Sequence, residues 1–212
     1  MLRGNVVHMS EKLDFKKYLK SFYAPKNSDF ELVELPPLRY LALDGSGSPE
    51  SDEFSMAIQA LYSTVYPLKF ISKAATGKDY VIPPLEALWW AEDYSVFTEN
   101  KRTSWKWTLL SIIPEWVTEE HFNAALAKAL AKGSDCAASI ELRFITEGLS
   151  YQALYTGPFS GEGAVLSTLH DVVMPENGYT FNGLHHEIYL SDLRRTAPDK
   201  LKTILRQPVK PL

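Results

Sequence analysis

The sequence predicts an α+β fold in which an antiparallel β-sheet carries helices on one face and an open ligand cleft on the other. Three observations lead to this prediction. Segments with strand-like alternation and segments with helical spacing of apolar residues follow one another along the chain. Turns that contain Gly and Pro separate them. The order strand, glycine turn, helix, loop and strand occurs twice, which predicts two lobes related by a pseudo-two-fold axis.

The first repeat is expected to span residues 31–135, after an N-terminal arm of residues 1–30 in which residues 1–9 are disordered. Its predicted strands are residues 31–35, 38–44, 85–90 and 105–113. The first long helix begins at Ser51 or Asp52, and its apolar positions are Phe54, Ile58, Leu61 and Val65. Thr118 is predicted to cap the next helix, which Gly133 follows. The polar stretch 92–104 is long enough to be a flexible flap.

The second repeat is expected to span residues 139–212. Its motif YQALYTG at 151–157 matches YLALDG at 40–45 in the first repeat. The elements predicted here are a hairpin of residues 140–146 and 150–156 around Glu147-Gly148, a helix over 160–174, a last strand over 184–190 and a short closing helix near Pro198.

Composition and charge exclude several classes of protein. The chain has 22 Lys plus Arg against 26 Asp plus Glu, a net charge of −4 that argues against unaided nucleic-acid binding. Cys136 is the single cysteine, so an intramolecular disulfide or a multi-cysteine zinc site is excluded and a cytoplasmic location is favoured. No apolar run is long enough to cross a bilayer. A monomer and a dimer both remain possible.

Motifs for metal ions, phosphates and cofactors are absent from the sequence. His185-His186-Glu187 resembles a metal motif, but adjacent histidines on a strand point to opposite faces, and no HExxH spacing occurs. Gly45-Ser46-Gly47 lacks the Lys-Ser/Thr ending of a phosphate loop, which favours a tight turn. No metal or cofactor is therefore expected.

Strand alternation predicts which side chains line the open face. On the strand 184–190, His186, Ile188 and Leu190 suit a helix-covered core, which leaves His185, Glu187 and Tyr189 on the other face. If the equivalent faces of the other strands coincide, they add Tyr40, Glu86, Trp90, Trp105, Trp107, Tyr151 and Tyr155. The result is an aromatic box with one or two carboxylates. The alternative is that these rings belong to the core, where aromatic residues on strands usually lie.

Three segments resemble a known family. They are PLEALWW at 84–90, HEIYLSD at 186–192 followed by Arg194, Arg195 and Thr196, and LKTILRQPV at 201–209. Together they resemble stand-alone GyrI-like small-molecule-binding domains. The resemblance implies a tandem β-α-β-β arrangement of the SHS2 type. Related domains in multidrug-responsive regulators bind large aromatic, often cationic compounds around a glutamate, a role that the match gives to Glu187.

Stand-alone members similar to this sequence are known as cyclopropanoid hydrolases, which open a strained cyclopropyl ring with water. The enzyme hypothesis is therefore that Trp90, Trp105, Trp107 and Tyr155 hold a flat electrophile while Glu187 activates water. Tyr189 or Tyr155 would hydrogen-bond the developing phenolate, and Glu86 would assist. Tyr40, Tyr151 and His185 complete the expected ligand-binding set. The alternative is a non-catalytic protein that sequesters aromatic or cationic drugs, with Glu187 as counter-ion.

Overall fold

The computed structural model describes residues 12–25, 28–93, 101–192 and 194–212. Its strands are β1 (Glu31–Leu35), β2 (Leu38–Ser46), β3 (Leu85–Trp90), β4 (Lys106–Ile112), β5 (Glu141–Ile145), β6 (Gly148–Thr156), β7 (Tyr179–Phe181), β8 (His185–Tyr189) and β9 (Lys202–Pro211). Its helices are α1 (Phe15–Tyr18), α2 (Lys20–Tyr23), α3 (Asp52–Thr76), α4 (Glu119–Leu130), α5 (Glu162–Thr168) and α6 (Met174–Glu176). A π-helical turn, Leu169–Val173, joins α5 to α6. The predicted disorder of residues 1–9 lies outside the described residues, as does most of the predicted flap.

The strands form an antiparallel sheet with the order β1-β6-β9-β8-β3-β4-β2-β5, and β7 pairs with β9. This confirms the predicted α+β fold. The centre of the sheet is the pair β8 and β3, and the strands on either side mirror one another: β9 corresponds to β4, β6 to β2 and β1 to β5. The mirrored order supports a duplication of the sequence, which stays a prediction.

The outermost strands are exchanged between the two halves. β1 precedes β2 in the chain but pairs with β6, with Glu31 opposite Gln152. β5 precedes β6 but pairs with β2, with Leu38 opposite Ile145. The predicted hairpin around Glu147-Gly148 is therefore wrong. Each strand of the supposed hairpin pairs elsewhere. β5 lies beside β2 at the edge of the first half, and β6 lies between β1 and β9 in the second half.

Helices α3 and α4 cover one face of the first half. Ser51 caps α3 by accepting a hydrogen bond from the backbone N–H of Phe54, and Gly77, with φ of 71°, ends it. The Thr118 hydroxyl likewise caps α4 through the N–H of His121, as predicted. These helices bury a core with strands β2 to β4 that includes Leu41, Leu61, Leu68, Trp89, Trp107, Leu109 and Phe122. Among the described helices none is long and apolar enough to span a membrane.

The N-terminal arm, residues 12–25, covers the opposite face of the sheet. Phe15 of α1 and Tyr23 of α2 are buried against Tyr40, Ile188 and Ile204 from β2, β8 and β9. The prediction that helices cover only one face, and leave this one open, is therefore wrong. The arm closes it, because its short helices contribute enough apolar side chains to bury the strands beneath.

The predicted closing helix near Pro198 is also wrong. Pro198–Lys200 forms one 3-10 turn, and the strand β9 follows it. β9 pairs with β6 on one side and with β8 on the other. Its residues Thr203 to Val209 are buried on both faces, so they lack the alternation that marks a half-exposed strand.

Candidate functional site

The side chains of His185, Glu187 and Tyr189 share the face of the sheet that carries α3 and α5. Glu187 is opposite Ala87 on β3 and opposite Leu205 on β9, and paired residues of neighbouring strands share a face. Ala87 belongs to the core beneath α3. The boundary between the helices of the first half and those of the second half therefore lies above the central strands β3 and β8. It is on the helix-bearing face and not on the helix-free face that alternation predicted.

A cluster of titratable groups surrounds Glu187. We call it the Glu187 cluster, and it consists of Glu162, His170, His185, Glu187 and Tyr189. The Tyr189 hydroxyl donates a hydrogen bond to Glu187 Oε2 at 2.7 Å and accepts one from the indole N–H of Trp89 at 3.0 Å. The Glu187 side chain is 13% exposed. Its carboxylate is therefore held in one orientation while one edge still reaches the surface.

Glu162, the first residue of α5, provides a second carboxyl group beside Glu187. Its side chain is buried, the Thr203 hydroxyl hydrogen-bonds to it, and its Oε1 has no hydrogen-bond partner among the described residues. Burial and the neighbouring charge of Glu187 raise the pKa of Glu162 to about 9. Glu162 is therefore a protonated acid at neutral pH. A carboxyl group with a raised pKa beside a second carboxyl group is an arrangement suited to acid–base chemistry.

Two histidines complete the Glu187 cluster, and His170 is linked to it through His185. His185 Nε2 is 3.3 Å from Glu187 Oε1, but the pair is not aligned as a hydrogen bond. His170 belongs to the π-helical turn, and its ring meets the ring of Phe181 edge-on at 4.8 Å between centroids. Burial, helped by the nearby His185, lowers the pKa of His170 to about 4, so this imidazole is neutral at physiological pH.

Aromatic rings border the Glu187 cluster. The Trp105 ring meets Trp89 edge-on at 5.8 Å, and Phe159, 40% exposed, meets Tyr189 edge-on at the same distance. The Tyr155 hydroxyl donates to the carbonyl oxygen of Pro158 at 2.8 Å, and burial, followed by the nearby Glu162, raises the pKa of Tyr155. The structure thus brings together His185, Glu187, Tyr189, Trp105 and Tyr155 of the predicted site.

Five other predicted residues lie elsewhere. Tyr40, Glu86 and Trp90 belong to the opposite face, the first two beneath the arm. Trp107 is in the core, where its ring lies so close to Gly45 that a Cβ there would be 2.0 Å from it. Tyr151 shares the face of Glu187 but is buried against Tyr179 and the α6 region. Alternation could not align these faces because the order of the strands was unknown.

A second polar cluster lies beneath the arm and is fully buried. We call it the arm cluster, and it consists of Tyr23, Tyr40, Glu86, Glu147, Gln152, His186 and Arg206. Arg206 donates to Glu147 Oε2 at 2.9 Å and to the carbonyl oxygen of Phe22 at 2.6 Å. His186 lies between two carboxylates, with Nδ1 2.9 Å from Glu147 and Nε2 3.0 Å from Glu86. Each ionised group of this cluster faces an opposite charge.

The pKa values within the arm cluster follow from these pairs. Burial alone would disfavour the charged form of His186, but the adjacent Glu147 and Glu86 outweigh it and raise the pKa of His186 to about 9. Burial likewise opposes ionisation of Glu147, yet His186 and Arg206 lower its pKa to about 2. Both groups are therefore charged at neutral pH, as partners in one network.

The sequence matches a known family along most of its length. The family model of the GyrI-like small molecule binding domain matches residues 28–210. The chain belongs to the GyrI-like family. The resemblance predicted from the three motifs is thereby confirmed, and the domain is a small-molecule-binding one.

Two solved structures that are similar to this GyrI-like domain come from Listeria innocua. An uncharacterized conserved protein is 38% identical, with a TM-score of 0.85 over 94% of this chain and 100% of its own. A second protein, named as a hydrolase, is 36% identical, with a TM-score of 0.81 over the same shares of both chains. The C-terminal domain of EcmrR is 12% identical, with a TM-score of 0.55 over 87% of this chain and 98% of its own, and so shares the fold. Curated proteins give no significant match.

Two surface cavities of this GyrI-like domain are lined by residues other than the members of the Glu187 cluster. One of about 480 Å³ lies beside Lys12, Lys78 and Trp116, and another of about 440 Å³ lies between Tyr155 and Val165. The Glu187 cluster remains the better candidate site, because two carboxyl groups lie side by side there and the pKa of one of them, Glu162, is raised. Groups of three or more potential metal ligands do not occur within the ranges that the structure describes.

Glu162 and His170 were missed by sequence reasoning. Both lie on the segment that was predicted as one helix over 160–174, for which only the apolar face was considered. The signal available for Glu162 was its position. It is a carboxylate directly after Gly161, where the helix that follows the second repeat motif begins. His170 gave no such signal, because its orientation depends on the π-helical turn.

Proposed function

We propose that this GyrI-like protein is a hydrolase that binds a flat aromatic compound over the Glu187 cluster and adds water to an electrophilic carbon of it. The observation that carries the proposal is the pair of adjacent carboxyl groups, one that accepts a hydrogen bond from Tyr189 and one that burial and the neighbouring Glu187 keep protonated. A structure that is 36% identical over its full length is named as a hydrolase, which supports the same reaction type.

The proposed substrates are cyclopropanoid natural products, whose strained ring carbon reacts with water after modest activation. Trp105, Phe159 and the neighbouring Trp89 would hold the flat rings by stacking and edge contacts. Positioning of this kind lowers the barrier by fixing the electrophilic carbon next to the water. Detoxification within the cytoplasm is the biological role that we attach to this reaction.

Glu187 and Glu162 take complementary roles in the proposed step. Glu187 accepts a proton from water while the water oxygen bonds to the ring carbon. The carbon–carbon bond of the cyclopropane breaks, and its electron pair moves into the conjugated dienone. Glu162 gives its proton to the oxygen that would otherwise become a phenolate. Transfer of a proton from Glu187 back to Glu162 restores the pair, and the net change is addition of water to the substrate.

The roles predicted for Tyr155 and Tyr189 change in this proposal. The hydroxyl hydrogen of Tyr189 is donated to Glu187, and that of Tyr155 is donated to the carbonyl oxygen of Pro158. Neither hydrogen is directed at a ligand. Tyr189 therefore orients the base, and Tyr155 supports the turn that precedes Glu162. Glu162 replaces them as the proton donor.

The second candidate is a non-catalytic protein that sequesters aromatic cations. The surroundings of Glu187 favour this second candidate. Its described ionic partner is a histidine, and within the described ranges neither a lysine nor an arginine is paired with it, so an organic cation could take that place. A half-buried carboxylate between aromatic rings attracts an organic cation. This candidate uses the same residues without turnover, so one experiment separates the two.

The test is to incubate the purified protein with a spirocyclopropyl-cyclohexadienone alkylator in water enriched in oxygen-18. We expect the ring-opened product to carry the label from water, at a rate well above the uncatalysed one, as followed by mass spectrometry. Glu187→Gln should lower the rate by about a hundredfold or more. Ligand binding, followed by quenching of tryptophan fluorescence, should persist because Gln is nearly isosteric with Glu.

Glu176→Gln is the matched control, since Glu176 is exposed at the end of α6 and undergoes the same chemical change. It should leave the rate unchanged. Tight binding without any acceleration would instead establish the sequestering protein. A full rate for Glu187→Gln would exclude Glu187 as the base.

A further inference from the structure

Two imidazole nitrogens at the Glu187 cluster are buried and lack both a hydrogen bond and an ion-pair contact among the described residues. They are Nε2 of His170 and Nδ1 of His185, whereas Nε2 of His185 lies 3.3 Å from Glu187 Oε1. A buried polar atom without a partner costs about 1–3 kcal/mol. Such an atom in a folded protein calls for an explanation, and binding of a ligand is one.

The backbone around His170 is also unusual. Leu169–Val173 forms a π-helical turn between two α-helical segments. Such turns are rare and are found mostly at functional sites, because they redirect a side chain that a regular helix would place differently. Here the turn places His170 against Phe181 and close to His185. This is independent of the unpaired nitrogens and points to the same position.

The chemistry of the pair limits what it can recognise. A neutral imidazole has one N–H donor and one nitrogen acceptor. His170 is neutral at physiological pH because burial lowers its pKa to about 4. The nitrogens His170 Nε2 and His185 Nδ1 can together present a donor and an acceptor to a ligand, and a group with both features on one edge would satisfy them.

We propose that His170 and His185 form a polar subsite that binds the hydrogen-bonding edge of a neutral, flat heteroaromatic ligand, in which an N–H lies next to a carbonyl oxygen. The proposal rests on the proposed function in one respect, namely that the ligand lies over the Glu187 cluster. It narrows the substrate class from any flat aromatic compound to one with a lactam-like edge. An organic cation without hydrogen-bonding groups would leave the nitrogens unpaired and lose affinity.

The test compares three probes with the same bicyclic skeleton. Quinolin-2(1H)-one has the adjacent N–H and carbonyl, 1-methylquinolin-2-one lacks the N–H, and 1-methylquinolinium is a cation without either group. By calorimetric titration, we expect quinolin-2(1H)-one to bind about tenfold more tightly than each of the others, which corresponds to about 1.4 kcal/mol. In His170→Leu the preference should fall below about threefold, and in His170→Gln, which keeps a donor and an acceptor, it should partly return.

Val172→Ala is the control, because Val172 lies in the same π-helical turn and is 44% exposed. It should keep the full preference. Equal affinities of the three probes for the wild type, or no binding of any probe, would overturn the subsite. An equal loss for all probes in His170→Leu would also overturn it, since the histidine would then only support the fold. These titrations involve no turnover, so a failure of hydrolysis and a failure of the subsite are separate results.

Discussion

The two faces of the central strand β8 carry polar clusters of opposite character. His186 faces the arm cluster, in which charged groups are paired with opposite charges and every member is buried. Its neighbours His185 and Glu187 face the other cluster, where two carboxyl groups lie side by side and neither is paired with a lysine or an arginine within the described ranges. Adjacent residues of one strand thus belong to environments that differ in how completely their charges are compensated.

We interpret the difference as one between residues that hold the fold together and residues proposed to bind a ligand. A buried charge is tolerated when it is paired with an opposite charge, and the arm cluster meets that condition while binding Phe22 and Ser21 of the arm. In the Glu187 cluster two carboxyl groups lie side by side, and within the described ranges neither is paired with a lysine or an arginine. Burial and polarity alone would rank the arm cluster first as a functional site, whereas the pairing of charges ranks the Glu187 cluster first.

The largest expected effect is on the arm cluster. Arg206→Met should lower the free energy of unfolding by about 3–5 kcal/mol, because it leaves Glu147 buried without its strongest partner. Urea unfolding followed by circular dichroism measures this change. His185→Gln, on the other face of the sheet, should change the stability by less than about 1 kcal/mol. A small effect of Arg206→Met would contradict the structural role of the arm cluster.

A second expectation concerns the pH dependence of stability. His186 keeps its proton in the folded state up to about pH 9, whereas its ordinary pKa is 6.5. The stabilisation is fully present below about pH 6.5 and is lost as the pH rises towards 9, by at most about 1.4 kcal/mol per pH unit. Glu162 contributes with the same sign, because its pKa rises from 4.5 to about 9 on folding.

Urea titrations between about pH 6 and about pH 9 should therefore give a falling free energy of unfolding. His186→Gln and Glu162→Gln should each make the fall less steep, since each removes one group that binds its proton more tightly in the folded state. The quantity compared is the slope of the free energy of unfolding against pH and not its absolute value. A general destabilisation of either variant therefore does not affect the result. A slope unchanged by both substitutions would show that neither group has the pKa described above.

The third expectation compares the same substitution on the two faces. Tyr23→Phe removes the hydrogen bond from Tyr23 to Glu86 at 2.8 Å inside the arm cluster and should cost about 1.5–3 kcal/mol of stability. Tyr189→Phe removes the 2.7 Å bond to the partly exposed Glu187 and should cost less than about 1.5 kcal/mol. Tyr189→Phe should instead lower turnover, because the base loses its fixed orientation. Equal losses of stability would remove the distinction between the faces.

The smallest expected effect on stability is that of Glu162→Gln. Near pH 8 folding requires Glu162 to take up a proton that it lacks in the unfolded chain, whereas an amide needs none, so the free energy of unfolding should stay constant or rise by up to about 1 kcal/mol. Turnover should fall, since the proton donor is missing. In the wild type, turnover should decrease as the pH rises through about 9, where Glu162 loses its proton. A marked destabilisation by Glu162→Gln would mean that this carboxyl group is structural.

Much of the fold was predictable because local signals were consistent. Ser51, Thr118 and Gly77 mark helix ends by their own chemistry, and the strand segments alternate or are apolar as expected. The order of the strands was not predictable, since pairing depends on contacts between residues far apart in the chain, such as Glu31 with Gln152. β9 was assigned to a helix because a strand buried on both faces has no period of two.

The candidate site was predictable in part for the same reason. Glu187 and Tyr189 were expected together because residues two apart on a strand share a face, and this needs no knowledge of the topology. Glu86 was placed beside them because it was not known which face of β3 meets which face of β8. Glu162 and His170 depend on how a helix lies over the sheet, which the sequence of one helix does not specify.

The exchange of β1 and β5 has a consequence for how this molecule can move. Each half of the sheet includes an edge strand that comes from the other half, so two covalent crossings tie the halves together in addition to the β3–β8 contact. Rotation of one half away from the other as a hinged body would break backbone hydrogen bonds at both edges of the sheet. The strands therefore act as a rigid frame, and in the proposed function any adjustment to a ligand at Glu187 would come from side chains and from the helices above the sheet.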